Sequence, residues 1–401
     1  MKFSYYNILV PYKETYLLYN TANGAFIRIP QKAYSKDNLQ LEKLGFVVSD
    51  EKDELMTFKY RYLSGLFNST GHHLTIATTM DCNFNCPYCF EDKNKIGYAM
   101  TDDVINAIQA YIQQKKLTRL SITWFGGEPF LNFVAIEKLS KFLIENKIEF
   151  ISNAITNGSI LTDSIVAKLD ELQIKSLQIT LDGYDKIHNR TRHFKNGKDS
   201  FNLIISNIDR VLRDSSAKII IRINLDKQNC ESYAELKEFI ESKYKNYIKE
   251  SRLKLSPTNI KDRTSFNGCN NCFSPIEYYD YERLILKKKP KLPILVGPCP
   301  LRTLNGLIIG PNGEIYKCLE QLGIKSQSVG NILSSSINIS KNADFALRAL
   351  PFDFNECVKC KLLPICGGGC AIDLRRNKEP HCPAIKEKID EIIVEYYEHI
   401  K

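Results

Sequence analysis

From His73 onward, strand-like segments alternate with amphipathic helical segments, and this alternation limits the fold of the 401-residue chain more than any other feature. Strands are predicted at Leu74 to Thr79, Leu120 to Phe125, Glu149 to Thr156, Ser176 to Leu181, Ile219 to Leu225 and Leu253 to Pro257. Helical periodicity lies between them, as in Asp102 to Lys115 and Phe201 to Arg213. Six strand–helix units imply a parallel sheet with right-handed crossovers. The class is therefore α/β, and a curved partial (β/α)6 barrel of the TIM type is the natural closure. Chemistry in such barrels sits at the carboxyl ends of the strands, so the loops just after each strand are where functional residues are sought.

The flanks read differently. Tyr5 to Val10 and Tyr16 to Tyr19 are two short strands around a Pro11-containing turn. Asn23-Gly24 is a turn before a strand at Ala25 to Ile29, and a helix ending near Gly45 and a strand at Phe46 to Ser49 follow. Residues 1–72 thus form a small α/β module, residues 73–257 the barrel, and residues 258–401 a loop-rich domain where Gly, Pro and Cys concentrate. Helical periodicity returns there only at Ala384 to Ile400. Lys287 to Pro290 is a solvated basic loop.

Thirteen cysteines must be accommodated. No apolar run is long enough to span a bilayer, and Met1 to Pro11 has no signal-peptide pattern, so a cytoplasmic location is expected. A reducing cytosol disfavours structural disulfides, which turns clustered cysteines toward metal or catalysis. The formal net charge of +9 favours an acidic partner without identifying one, and a solvated basic surface accounts for it equally. Neither a nucleic acid nor a membrane is an expected partner.

The first cysteine group, Cys82, Cys86 and Cys89, follows the first barrel strand with the spacing C-x3-C-x2-C. Three thiolates can bind three irons of a cubane and leave the fourth open to a ligand. Tyr88, just before the last cysteine, is placed to shield such a cluster. This segment resembles the signature of the radical S-adenosylmethionine (SAM) superfamily. The resemblance implies a [4Fe-4S] cluster whose open iron chelates SAM and whose electron cleaves it to a 5′-deoxyadenosyl radical. The alternative for three thiols in a loop is a zinc site or free thiols.

Other elements fit the same resemblance at successive strand ends. Gly126, Gly127, Glu128 and Pro129 resemble the family's GGEP motif, implied to contact the methionine amino group. Thr156 and Asn157, followed by Gly158, resemble the TNG element near the ribose. Thr180 and Asp182 follow the fourth strand. His188-Asn189-Arg190-Thr191-Arg192 resembles HDxxR with Asn189 in place of Asp, and Arg192 suits the SAM carboxylate because guanidinium pairs bidentately with carboxylates. Asn224 in the fifth strand is a further candidate ligand.

The second array, Cys299, Cys318, Cys357, Cys360, Cys366, Cys370 and Cys382, resembles the seven-cysteine SPASM domain. That resemblance implies two auxiliary [4Fe-4S] clusters beside the SAM-binding one, three in all. Cys357, Cys360, Cys366 and Cys382 match the ligands of the second auxiliary cluster, and Cys299, Cys318 and Cys370 match three ligands of the first. Cys269 or Cys272 is the candidate fourth ligand; alternatively that cluster keeps an open iron. Cys230 reads as a buried small apolar residue.

SPASM enzymes mostly modify peptides or proteins. The resemblance is to ribosomal-peptide maturases of the sactipeptide and ranthipeptide type and, less closely, to anaerobic sulfatase-maturing enzymes. A maturase would use the N-terminal module to bind the leader of a precursor peptide by strand pairing, would form thioether or other side-chain crosslinks, and would draw electrons from flavodoxin or ferredoxin. Sulfatase-maturing enzymes carry Asp directly after the Cys318 position, where this chain has Leu319 and then Glu320, a candidate base. An iron–sulfur electron-transfer protein is the third possibility, and the intact cysteine triad with Gly126 to Pro129 argues against it.

Overall fold

The computed structural model describes residues 1–68, 71–89, 91, 97–260, 271–299, 302–334 and 336–401. It divides into two compact units: Met1–Asn68 with Ser274–Thr303 and Ala346–Lys401, and Ser69–Phe273 with Leu304–Phe345.

The first unit is built on an antiparallel sheet of β1 (Asn7–Tyr12), β2 (Thr15–Asn20) and β3 (Phe26–Pro30), in that order. Lys13, at the tip of the β1–β2 hairpin, has φ 54°, the positive value a two-residue hairpin loop requires. Alternation along β2 sends Leu17 and Tyr19 to one face and Leu18 to the other. Leu17, Tyr19 and Val10 pack with Leu362, Ile365, Ile389 and Ile393, the last two on the helix Ile385–Ile400. Leu18 and Ile29 pack with Leu41, Phe46 and Val47. The helix Glu54–Phe67 buries Phe58, Tyr62 and Leu66, spaced by four, against Ala346, Leu350, Cys357 and Leu363. The N-terminal sheet and the cysteine-rich C-terminal stretch therefore share cores.

The second unit holds the parallel strands β4 (His73–Thr79), β5 (Arg119–Gly126), β6 (Glu149–Thr156), β7 (Ile174–Thr180), β8 (Lys218–Leu225) and β9 (Leu253–Asn259). Each pairs with the next in sequence order. The sequence-based bounds agree with these to within two residues. β10 (Gly306–Ile309) adds in parallel to the free side of β4 and turns into antiparallel β11 (Glu314–Tyr316). The sheet stays open, since β9 ends it on one side. Ile76, Trp124, Ala154, Leu177 and Ile219 are successive register partners and all are buried. The helix Phe201–Asp214 lies over this face: Ile204 meets Ile179 around Gly158, and Asn207 donates to the Gly158 carbonyl at 2.8 Å. No helix among the described residues is long and apolar enough to cross a membrane.

Candidate functional site

The loop Thr79–Cys89 leaves the carboxyl end of β4, and the glycine pair at the end of β5 fixes its entry. Gly127 N–H donates to the Thr79 carbonyl at 3.0 Å and Glu128 N–H to the Asp81 carbonyl at 2.9 Å. A Cβ on Gly126, whose φ is +121°, would lie 2.0 Å from the Thr79 oxygen, and one on Gly127 would lie 2.3 Å from the Asp81 oxygen. Only glycine lets these two backbones touch. Pro129 is buried, and its carbonyl accepts from the Thr78 hydroxyl at 2.8 Å.

Glu128 is fully buried and joins the ends of two neighbouring strands. Its carboxylate accepts from Thr156 Oγ1 at 2.7 Å, Asn157 N–H at 2.7 Å and Phe130 N–H at 3.2 Å. Burial pushes its pKa up to about 7 against the pull of these donors. Glu128 thus ties β5 to β6, which leaves the backbone of Gly126 and Gly127 as the part of this motif nearest the cysteine loop.

Cys82 is buried; Cys86 and Cys89 are half-buried, and none of the three is in a disulfide. The Cys82 sulfur accepts from Phe84 N–H at 3.4 Å and from Asn157 Nδ2 at 3.7 Å. Cys89 N–H reaches the Cys86 carbonyl at 3.2 Å, a tight turn that brings the two cysteines near each other. Asn157 Nδ2 also donates to Asn83 Oδ1 at 2.8 Å, and Asn83 Nδ2 to Ser159 Oγ at 2.8 Å. Asn83 is a site residue that the sequence reading does not single out; its signal is a polar side chain between Cys82 and the buried Phe84.

A second network crosses from the cysteine loop to the ends of β7 and β8. Tyr88, read from the sequence as a shield, is half-buried and uses its hydroxyl as a bridge. It donates to Asp182 Oδ2 and accepts from Arg192 Nη1 at 2.7 Å. Asp182 is fully buried; burial raises its pKa, while Arg192 and Tyr88 pull it back. Burial works against the Arg192 charge, yet Tyr88, Cys86 and Asp182 around it keep it firmly protonated. Arg192 Nε is buried with no hydrogen-bond partner, and the guanidinium lies 5.9 Å above the Phe84 ring.

The rest of the HNxxR stretch is structural support. Burial, then the neighbouring Arg192, holds His188 well below its usual pKa. The neutral ring accepts from Asp182 N–H at 3.3 Å and meets Ser200 Oγ at 3.0 Å. Asn189 Oδ1 accepts from Ser200 and Phe201 N–H at 2.9 and 3.0 Å, so it caps the helix Phe201–Asp214. Thr180 is buried at the end of β7, in register with Arg222. Asn224 N–H donates to Asp182 Oδ1 at 3.4 Å, and its Oδ1 accepts from Arg222 Nε at 3.1 Å.

In the first unit, Cys357, Cys360, Cys366 and Cys382 act on one another electrostatically. Burial and then its three companion sulfurs push the Cys357 thiol up to about 11. Cys382 and Cys360 likewise raise the pKa of the Lys386 ammonium. Gly367, Gly368 and Gly369 all take positive φ, and Gly369 N–H donates to the Cys366 carbonyl at 3.2 Å. Cys299 and Cys370 belong to the first unit and Cys318 to the second. Cys272 is disulfide-bonded, and Cys269 lies outside the described residues. Glu320 is half-buried on the turn Leu319–Gln321. Cys230 is half-buried on the turn Cys230–Ser232, not in the core as expected, because the turn breaks the apolar pattern of β8 before it.

The residues present suit a cluster with SAM on it. Among the described residues no three His, Cys, Asp or Glu side chains converge as they would around one ion, and a cubane, being wider, does not need them to. The donors on the Cys82 sulfur are those that stabilise a cluster thiolate. The unpartnered Nε of Arg192 suits a carboxylate, which a guanidinium takes in a fork.

Comparison with known proteins agrees. Residues 76–240 match the model of the radical SAM superfamily. The chain is similar to the radical SAM cyclopropyl synthase TigE of Paramaledivibacter caminithermalis, 23% identical over 81% of this chain and 74% of that protein. It is also similar to the cysteine-type anaerobic sulfatase-maturating enzyme of Clostridium novyi, 24% identical over 76% of this chain and 87% of that one. In fold it resembles Streptococcus suis SuiB bound to precursor peptide SuiA, with a TM-score of 0.56, 17% identity, and coverage of 94% of this chain and 97% of that one.

Proposed function

Because this chain is a radical SAM enzyme that binds SAM at a [4Fe-4S] cluster, we propose that it matures a ribosomal precursor peptide, forming thioether or other side-chain crosslinks. The observation that carries the peptide reading is the N-terminal sheet, which ends at β1 and β3 and offers strand edges to an extended leader. The likeness to SuiB, whose structure holds a precursor peptide, extends over 94% of the chain and supports the same reading.

A cluster with SAM bound here would supply the one-electron chemistry that activates the substrate for crosslinking. Cys82, Cys86 and Cys89 hold the irons, and the Phe84 and Asn157 N–H groups steady the Cys82 thiolate. Arg192 takes the SAM carboxylate with the Nε that has no protein partner, while Tyr88 and Asp182 hold its other edge. Cys357, Cys360, Cys366 and Cys382 would hold one auxiliary cluster. Flavodoxin or ferredoxin is the reductant.

The test is anaerobic co-expression with the small peptides encoded beside the gene, followed by mass spectrometry. A mass change in a peptide supports the reading, and Cys86→Ala must abolish both it and 5′-deoxyadenosine formation. The Clostridium novyi relative favours a second reading, conversion of a sulfatase cysteine to formylglycine. Modification of a sulfatase peptide in place of a neighbouring precursor would establish that one.

A further inference from the structure

The two faces of the β4–β9 sheet differ in chemistry. One is the buried apolar row under the helices. The other is layered and largely half-buried. Toward the amino ends of the strands it carries a polar row, with Thr123, Asn153 and Ser176 in register and Ser176 donating to Asn153 at 2.7 Å. The next row holds Ile155, Gln178 and Ile220 as register partners. Above it stand Thr180 and Arg222, and then the Asp182–Tyr88–Arg192 network.

Within its own row Gln178 is the polar member. Interior positions of such barrels are ordinarily filled by branched apolar side chains. Here an amide stands between two isoleucines, half-buried, and makes no side-chain hydrogen bond among the described residues. A primary amide offers a donor and an acceptor side by side, the complement of a peptide group. Two residues of strand rise, about 7 Å, separate it from the Thr180 level at the mouth of the SAM site. Among the described residues the formal charges nearest Gln178 on this face are cationic: Arg222 lies one row up on β8, while Lys218 one row down and Lys254, the register partner of Ile220, are exposed; Asp182 follows one row above Arg222, held by Tyr88.

We propose that Gln178 is a specificity-determining residue: its amide hydrogen-bonds the backbone of the substrate peptide beneath the SAM site, and the surrounding row refuses a basic side chain at the position presented for hydrogen abstraction. This rests on the peptide-maturase reading and names the substrate class that reading would serve. Ile155 and Ile220 flank the presented residue with apolar surface, and Arg222, Lys218 and Lys254 repel an ammonium or guanidinium.

The experiment uses anaerobically reconstituted holoenzyme, dithionite, SAM and a pool of synthetic peptides that carry the leader of a peptide encoded beside the gene and one randomised core position. Products are counted by mass spectrometry as ratios within one preparation, which partial misfolding does not alter. The wild type should modify Leu-centred members and leave Lys- and Arg-centred ones untouched. Gln178→Glu should raise the ratio of Lys-centred to Leu-centred product about tenfold or more, the worth of one charge-assisted hydrogen bond. Gln178→Leu should raise the peptide KM about fivefold with a smaller change in kcat, and Gln178→Asn should restore part of it. Equal use of Lys- and Leu-centred peptides by the wild type overturns the proposal, as does an unmoved ratio in Gln178→Glu. If the wild type modifies no member of the pool and no peptide encoded beside the gene, the maturase reading itself falls and this inference with it.

Discussion

Glu128→Gln isolates the electrostatics of the joint between β5 and β6. In the folded chain burial lifts the Glu128 pKa from 4.5 to about 7. The unfolded chain ionises near the lower value, so between the two the folded state holds a proton the unfolded state has lost. The sign follows: this contribution is complete below about 4.5 and disappears as pH rises through about 7. The span between the two values corresponds to about 3 kcal/mol. Glutamine does not titrate, so the variant lacks this pH dependence while keeping the side-chain shape. The assay is urea unfolding of the cluster-free chain at pH 4.5 and pH 8, followed by fluorescence. The chain has one tryptophan, and Trp124 is fully buried on β5, four residues before Glu128, so it reports on this unit. The wild type's stability relative to the Glu128→Gln variant should be about 3 kcal/mol greater at the lower pH. Comparing the two proteins cancels every other titrating group. A difference that is the same at both pH values would refute the burial argument.

Two further predictions concern the cofactor sites. Tyr88→Phe keeps the ring and removes the hydroxyl that joins Asp182 to Arg192; SAM affinity, from titration of the cluster's absorbance, should fall about tenfold. An unchanged Kd would mean that Arg192 does not depend on Tyr88 for its position. Cys357→Ala should still cleave SAM to 5′-deoxyadenosine but yield little modified peptide, and full product yield would make the second auxiliary cluster dispensable.

The strands of the second unit are legible in the sequence because their residues alternate or run apolar in short stretches bounded by turns. The predicted strand Glu149–Thr156 has the observed bounds, and the cysteine loop lies where expected, at the end of the first barrel strand. What is not legible depends on partners distant in sequence. Nothing near Glu128 indicates that its carboxylate is bound by Thr156 and Asn157, or that Tyr88 bridges residues about 100 positions downstream. In the sequence the glycine pair reads as room for a ligand's approach, but the nearest steric demand is the backbone of Thr79 to Asp81. Asn189, a departure from the HDxxR pattern, is accounted for locally: an amide oxygen caps a helix as well as a carboxylate does.

The first unit draws on three separated stretches of chain, and this has a consequence for biosynthesis. The apolar face of β1 and β2 is covered only when Ile389 and Ile393 arrive, some 370 residues after Tyr19. At ribosomal speeds of about 5–20 residues per second, that face waits roughly 20 to 75 s for its cover. A nascent chain in that interval presents a sticky, uncovered apolar face to the cell, so expression should benefit from slow growth and holdase chaperones even before any iron is supplied.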